Sequence, residues 1–386
     1  MATTGFTCID LFCGAGGLSQ GFYNQGFDVR IANDFDAYSA MTYRAAHPDA
    51  NFIEGPIEHL ESKMLLELAG LKKGELDCLI GGPPCQAFSV YNHQRGFHDA
   101  RSGLFREYLR LVEGLLPRFV VMENVTGILS AGGGRAVEEI HARLTELGYA
   151  VSQDTLKAEQ YGVPQERRRV FFVGTRLPGP YFSFPEPAHG AGGKPYVTVR
   201  DAISDLPALN ILEGKEVSEY TGEPSSAYQS EMRHHSDALF NHVAPRLAPI
   251  NMERLKHIPQ GGSWRDIPVH LLPSGMRKAR RCDHTKRYGR LHPDGLACTI
   301  LTKCDLHWGA YIHPEQQRTL TVREAARFQS FPDRMRFFGP RIEQFRQVGN
   351  AVPPLLAEAV ASSIKELLIG AQTERENQCL KSILAT

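Results

Sequence analysis

Phe6-Thr-Cys-Ile-Asp10-Leu-Phe12-Cys-Gly14-Ala-Gly16-Gly17 is the stretch that decides the fold. A β-rich apolar run ends abruptly in glycines, and a helical pattern follows, which is how a strand of a parallel sheet turns into its crossover helix. Four more short apolar runs recur over the first ~180 residues: Asp28 to Ala32, Asp77 to Ile80, Phe119 to Met122 and Val170 to Gly174. Helical stretches separate them at Tyr38 to Ala46, Ile57 to Ala69, Leu104 to Leu116 and Arg135 to Leu147. The reading is an α/β protein with a Rossmann-like doubly wound parallel sheet. After Arg176 the segment LPGPYFSFPEPAHGAGGKP is rich in Pro and Gly, and the following residues repeat no strand-helix unit, so a second, smaller, irregular domain is expected. Helical patterning returns in VREAARFQSF, and Pro353 and Pro354 open a last helix expected to pack back on the first domain.

The chain of 386 residues is 42% hydrophobic and 22% charged, enough for sizeable cores and against wholesale disorder. No apolar run approaches the ~18 residues of a membrane span, and the start lacks a basic region before a long apolar stretch. A soluble cytoplasmic protein, without membrane contact, is expected. Basic and acidic residues balance at 43 each, so any case for a polyanionic partner must be local. The eight cysteines form no C-x-x-C and no paired ligand spacing, which favours reduced thiols and no metal.

In an open parallel sheet ligands bind beyond the carboxyl ends of the strands. Gly14, Gly16 and Gly17 allow a sharp turn there, and Asp34, about 20 positions on, is placed to accept hydrogen bonds from ribose hydroxyls. The dinucleotide fingerprint fails, because Ser19 stands where its third glycine belongs. A nucleoside cofactor is indicated, and a plain Gly-rich turn is the bland alternative. At the second strand end, Gly81-Gly82-Pro83-Pro84-Cys85-Gln86 holds a thiol on a stiff segment, a candidate nucleophile, although cysteine is more often a buried hydrophobe. The third strand end carries Glu123 and Asn124, which parallel strands would bring to the same edge as Cys85. In Gln165-Glu-Arg167-Arg-Arg169 strand alternation puts Gln165, Arg167 and Arg169 on one face, suited to a phosphate or a carbonyl-bearing ring.

These blocks, DLFCGAGGLSQGF, GGPPCQAFS, MENV, QERRRVFFVG, RTLTVREAARFQSFPD and QVGNAVPP, closely resemble the DNA (cytosine-5)-methyltransferase family in order and spacing. The resemblance covers both flanks of the chain and leaves the middle unmatched in detail. It implies transfer of the methyl of S-adenosyl-L-methionine, giving S-adenosyl-L-homocysteine, to carbon 5 of a cytosine flipped out of double-stranded DNA. Cys85 would add to carbon 6, Glu123 would act at ring nitrogen 3, Arg169 would bind the ring carbonyl, and Arg167 and Asn124 would support them. For the cofactor it implies Phe12, Gly14, Gly16, Gly17, Asp34, Phe35 and Pro84, with Asn350 and Val352 closing the pocket. Where the family commonly has G-D-I this chain has Gly55-Pro56-Ile57, so Pro56 is left out and Glu58 or a backbone carbonyl is expected to compensate.

A duplex substrate needs local positive charge, and the segment Arg277 to Arg290 supplies it against a single acid, Asp283. Gln86, Arg280, Arg281, Lys286, Arg287, Arg290 and Thr299 are the expected DNA contacts. The division expected is a catalytic part of residues 1–179 and 340–386, with a target-recognition domain of residues 180–339 that includes the returning helix. A monomer is expected, serving as the modification enzyme of a restriction-modification system beside a separate cognate endonuclease. The rival readings are an RNA cytosine-5 methyltransferase of the same fold and a catalytically silent DNA-binding regulator.

Overall fold

The computed structural model describes residues 5–84, 103–179, 181–280 and 282–384, so Cys85, Gln86 and Arg281 lie outside the described residues. Strand β1 (Thr7–Leu11) is buried along its whole length, because it is flanked on both sides. It pairs in parallel with β2 (Asp28–Asp34) and with β4 (Cys78–Gly81). An apolar run without alternation is what such a position demands. Helix α1 (Gly17–Asn24) crosses from β1 to β2, α2 (Ala37–Ala46) leads to β3 (Asn51–Glu54), and α3 (Ser62–Ala69) precedes β4. Helix α4 (Leu104–Leu115) leads into β5 (Phe119–Asn124), and α5 (Arg135–Glu146) into β6 (Ala150–Lys157) and β7 (Arg168–Thr175).

The seven strands run in the order β3-β2-β1-β4-β5-β7-β6. Winding proceeds outward from β1 in one direction and then, from β4, in the other, so the switch point lies between β1 and β4. The Gly14 turn and the Gly82 loop both stand at that crevice.

The doubly wound sheet is parallel as expected except at β7, which pairs antiparallel with both β5 and β6. A parallel return would need a long crossover, usually a helix. The connection from β6 to β7 holds only the 3-10 turn Ala158–Tyr161 before the chain reverses. In consequence the beginning of β7, rather than its end, reaches the edge where the parallel strands finish.

Two cores cover the faces of the sheet. On one, Ile9, Leu79, Val120 and Phe172 pack against Leu65, Leu111 and Ile140 of α3, α4 and α5. On the other, Cys8, Ile80, Val121 and Phe171 meet Phe22 of α1 and Leu356, Val360 and Ile364 of α11 (Pro354–Leu384), the helix that packs back as expected.

The rest contains short helices α6 (Val199–Ile203), α7 (Ala227–Met232) and α8 (Pro249–Leu255), with a two-stranded antiparallel ribbon of β8 (Gly214–Ser218) and β9 (Leu239–Val243). Two further helices, α9 (Val322–Phe328) and α10 (Arg341–Asn350), precede α11. A third core joins Val199, Leu239 and Ile300 to Ala325, Phe328 and Val348, and a fourth gathers Leu255, Trp264, Tyr288 and Ile312. None of the helices among the described residues is long and apolar enough to cross a membrane.

Candidate active site

The turn after β1 begins at Phe12, whose φ of 58° lies in the left-handed region that costs a non-glycine residue free energy. Gly14 follows with a φ of 52° and Gly16 with 87°, where no such cost applies. Asp34, at the end of β2, braces this turn: Oδ2 accepts the Gly14 N–H at 2.9 Å and Oδ1 accepts the Asp36 N–H at 2.9 Å. Each carboxylate oxygen retains a lone pair for a ligand. Burial pushes the Asp34 carboxyl up from its ordinary value, and these backbone bonds oppose the shift. Beside it the Phe35 ring is 70% exposed, and the space a side chain at Gly14 would fill is open.

Gly16 and Gly17 face protein instead. A Cβ at Gly16 would come within 2.9 Å of His47 Nε2, and one at Gly17 would run into the Val352 carbonyl. Their absent side chains therefore serve packing, and the Gly17 contact brings Val352 to the turn from far along the sequence. Asn350 is exposed at the end of α10.

Sequence reasoning gave no role to Asp10. Its carboxyl is buried in the middle of β1 and accepts the Ser19 hydroxyl at 2.6 Å on Oδ2, while Oδ1 finds no hydrogen-bond partner. Burial pushes its pKa up to about 8. An acid at the centre of an apolar strand was the signal available. Ser19, which breaks the dinucleotide fingerprint, is thus explained: it is also 2.7 Å from the Tyr43 hydroxyl and anchors this buried network.

The second loop leaves β4 through Gly81 and Gly82. A Cβ at Gly82 would lie 2.9 Å from Glu123 Oε2, so the carboxylate of β5 sits directly against this backbone. Asn124 donates from Nδ2 to the Pro83 carbonyl at 2.9 Å, and its Oδ1 accepts the Val125 N–H at 2.9 Å. Asn124 therefore clamps the backbone that runs into Pro84 and the residues beyond it.

Because β7 runs backwards, Glu123 stands opposite Phe171, and Arg169 reaches the same edge. Arg169 Nε lies 2.7 Å from Glu123 Oε1, with both side chains about nine-tenths buried, although the N–H points off that line. Arg169 also donates from Nη1 to the Arg168 carbonyl at 2.8 Å. Burial raises the Glu123 carboxyl above the ordinary carboxylate range, and the charges of Arg169 and Arg167 offset part of that.

The alternation expected for this segment is observed: Gln165, Arg167 and Arg169 are buried, Glu166 and Arg168 exposed. Arg167, however, does not reach toward a substrate. Its guanidinium donates to the carbonyls of Ile300 at 3.1 Å, Gly349 at 2.8 Å and Ala351 at 2.8 Å. Its part is that of a support, joining the start of β7 to two distant stretches of chain. Gln165 adds a second joint, donating to the Phe328 carbonyl at 2.9 Å and accepting the Ile300 N–H at 2.9 Å.

The basic run divides. Arg290 is buried, and its guanidinium is consumed by the carbonyls of Ile258, His313, Gln316 and Leu255 and by the Gln317 side chain. This corrects its place among the DNA contacts, since none of its donors is left for a phosphate. Thr299 is corrected likewise, because its hydroxyl donates to the Glu166 carbonyl at 2.6 Å. Lys286 is ion-paired with Glu166 on the surface, and Arg280 with Asp283 at 3.3 Å. Arg287 lies over the ring of Trp308, 5.7 Å from its centroid. Among the described residues no cluster of His, Cys, Asp or Glu could hold a metal ion.

The profile of the family described as C-5 cytosine-specific DNA methylase matches residues 6–366. Type II methyltransferase M.AgeI of Thalassovita gelatinovora is 37% identical, the alignment covering 92% of this chain and 98% of that one. Type II methyltransferase M.DdeI of Desulfomicrobium norvegicum is 35% identical over 92% of this chain and 88% of its own length. Among solved structures, a prophage-encoded E. coli chain described as a DNA modification methyltransferase superposes with a TM-score of 0.74 at 26% identity, covering 94% of this chain and 99% of that one. The S. pombe Dnmt2 methyltransferase, at 18% identity and a TM-score of 0.58 over 94% of this chain and 99% of its own, shares the fold.

Proposed function

The chain belongs to the C-5 cytosine-specific DNA methylase family, and from that premise we propose that Cys85, Glu123 and Arg169 transfer a methyl group to carbon 5 of a cytosine extruded from duplex DNA. It is a DNA (cytosine-5)-methyltransferase of the restriction-modification kind. One observation carries the residue assignment: the Glu123 carboxylate, paired with Arg169, rests against the Gly82 backbone that leads into Cys85.

Carbon 5 of cytosine is a poor nucleophile until a thiolate adds at carbon 6. Cys85 forms that bond, while Glu123 holds a proton at ring nitrogen 3 and so absorbs the charge pushed into the ring. A carboxyl raised by burial carries that proton at a pH where a solvated one would not. Arg169 orients the ring through its carbonyl oxygen and keeps Glu123 in place. The cofactor S-adenosyl-L-methionine supplies an electrophilic methyl on a sulfonium. Once carbon 5 has accepted that methyl, its proton leaves to a base and the carbon 6 to sulfur bond breaks, restoring the thiolate.

The residues around the switch point fit that cofactor. Asp34 has lone pairs for ribose hydroxyls, the exposed Phe35 ring and Phe12 offer faces to a purine, and the orphaned Oδ1 of Asp10 offers a buried acceptor. Gly14, Pro84, Val352 and Asn350 complete the cradle in this proposal. Residues 1–179 with 340–386 would catalyse, and 180–339 would read DNA, with Arg280, Arg281, Lys286, Arg287 and Gln86 toward the duplex. A cognate endonuclease acting on its own would cut the same word.

The test uses duplex DNA carrying 5-fluorocytosine at the target, since fluorine blocks loss of the carbon 5 proton. The enzyme should form an adduct stable to denaturant, Cys85→Ser should form none while still binding cofactor, and Glu123→Gln should slow transfer about 10²- to 10⁴-fold. Methyl recovered on an amino nitrogen, or equal transfer to transfer RNA and duplex DNA, would refute the proposal.

A further inference from the structure

We infer that Arg287, oriented by the indole of Trp308, reads a guanine of the DNA word and is a specificity-determining residue of the enzyme. The inference rests on the DNA methyltransferase reading and names part of the recognition that reading leaves open.

The chain has two tryptophans, and they differ in kind. Trp264 is buried in the fourth core and its Nε1 donates to the His284 carbonyl at 3.1 Å. Trp308 is 46% exposed, and among the described residues its ring is met by the Arg287 guanidinium. Of the described arginines between 277 and 290, Arg277 donates to backbone carbonyls, Arg280 pairs with Asp283, and Arg290 is consumed internally. The Arg287 guanidinium makes no hydrogen bond or ion pair among the described residues.

The pair is also mounted firmly. Arg287 immediately precedes Tyr288, and Trp308 immediately follows His307. The Tyr288 hydroxyl and His307 Nε2 are 2.7 Å apart, His307 Nδ1 and Asp305 Oδ1 are 2.7 Å apart, and the Tyr288 N–H donates to the Leu306 carbonyl at 2.7 Å. These bonds fix the two neighbours relative to each other. The segment bearing Trp308 springs from Thr299 and Ile300, which are bonded to Glu166 and Gln165, the residues that lead into Arg169. The reading tip and the chemical edge are therefore joined by one short stretch of chain.

A point charge for phosphate needs no such mounting, and exposed Lys303, on the same stretch of chain as Trp308, already offers one. A guanidinium is planar by its own bonding, and an indole beside it biases the direction in which that plane faces, which favours two parallel hydrogen bonds to O6 and N7 of guanine in the major groove.

The experiment first determines the methylated word of the wild-type enzyme by sequencing modified DNA, then measures methyl transfer to duplexes substituted at each position of the word. Arg287→Lys, which keeps the charge, should lower discrimination at one G·C pair about 10-fold to 100-fold and leave the other positions and the salt dependence of binding unchanged. Trp308→Leu should relax the same position, and Trp308→Phe should restore part of it. A wild-type profile in Arg287→Lys, or uniform weakening over all words, would overturn the inference. Failure of the wild-type enzyme to methylate any duplex would overturn it together with the proposed function.

Discussion

His47 lies under the Gly16 turn, stacked on the Tyr23 ring at 4.6 Å between centroids, and burial pushes its pKa down to about 3. Above the unfolded value of 6.5 the imidazole is neutral in both states. Below it the unfolded chain takes a proton that the folded protein refuses, so stability falls as the pH drops from 6.5 toward 3. At pH 5 the loss from this residue is about 2 kcal/mol. Urea unfolding of His47→Gln should therefore lose about 2 kcal/mol less than the wild type between pH 7 and pH 5. His313, lowered to about 4, acts in the same window and remains in the variant. Equal losses in the two proteins would show that His47 is protonated in the fold. At this scale the sequence was legible where alternation applied, as at Gln165, Arg167 and Arg169. It was opaque where roles depend on distant carbonyls: nothing local distinguishes the buried Arg290 from the half-buried Arg287.

Helices α1 and α11 meet through glycine. A Cβ at Gly21 would lie 2.5 Å from the Ala357 Cβ and from the Glu358 amide, which is closer than packed atoms approach. Gly21→Ala should destabilise by about 1–3 kcal/mol despite its better helix propensity, read as a lowered Tm in the full chain. An unchanged Tm would mean that the helix pair shifts at no cost. The inner strands of the large sheet were readable from apolar runs, but its two edge elements were not, nor was the β8-β9 ribbon. In β3 and β6 the exposed side chains leave no apolar run, as Ala-Val-Ser-Gln-Asp-Thr-Leu-Lys illustrates. Direction was unreadable too, because period-two alternation is the same whichever way a strand is traversed. The reversed β7 is the element that makes Arg169 available to Glu123.

Across the whole molecule, a buried lattice of charge ties the middle of the chain to the segment before α10. Arg327 donates to Asp333 at 2.7 and 2.6 Å, to Asp205 at 3.0 and 3.2 Å and to the Ala202 carbonyl at 2.7 Å. Burial alone would raise the Asp333 carboxyl, but the charges of Arg327 and Arg323 hold it below its ordinary value. Arg327→Met would leave the buried Asp333 and Asp205 with only their longer contacts to Arg323 and Arg233, at 3.5 Å each, and should cost about 3–5 kcal/mol in urea unfolding. A smaller loss would mean that water enters the lattice. The joints made by Arg167, Gln165 and Arg327 all bridge residues more than a hundred positions apart, which is why a scan along the sequence could place the blocks but not their connections.

The packing of α1 on α11 has a consequence for the making of the protein. One face of the sheet is laid down early, but residues that share in covering it, Leu356 to Leu368, emerge from the ribosome long after the strands they pack on. Until then Phe22, Ile80 and Val121 stand uncovered, and the Gly17 turn lacks the Val352 backbone that presses on it. A nascent chain that has made the strands but not α11 therefore carries this apolar face short of its cover, the kind of surface that invites aggregation.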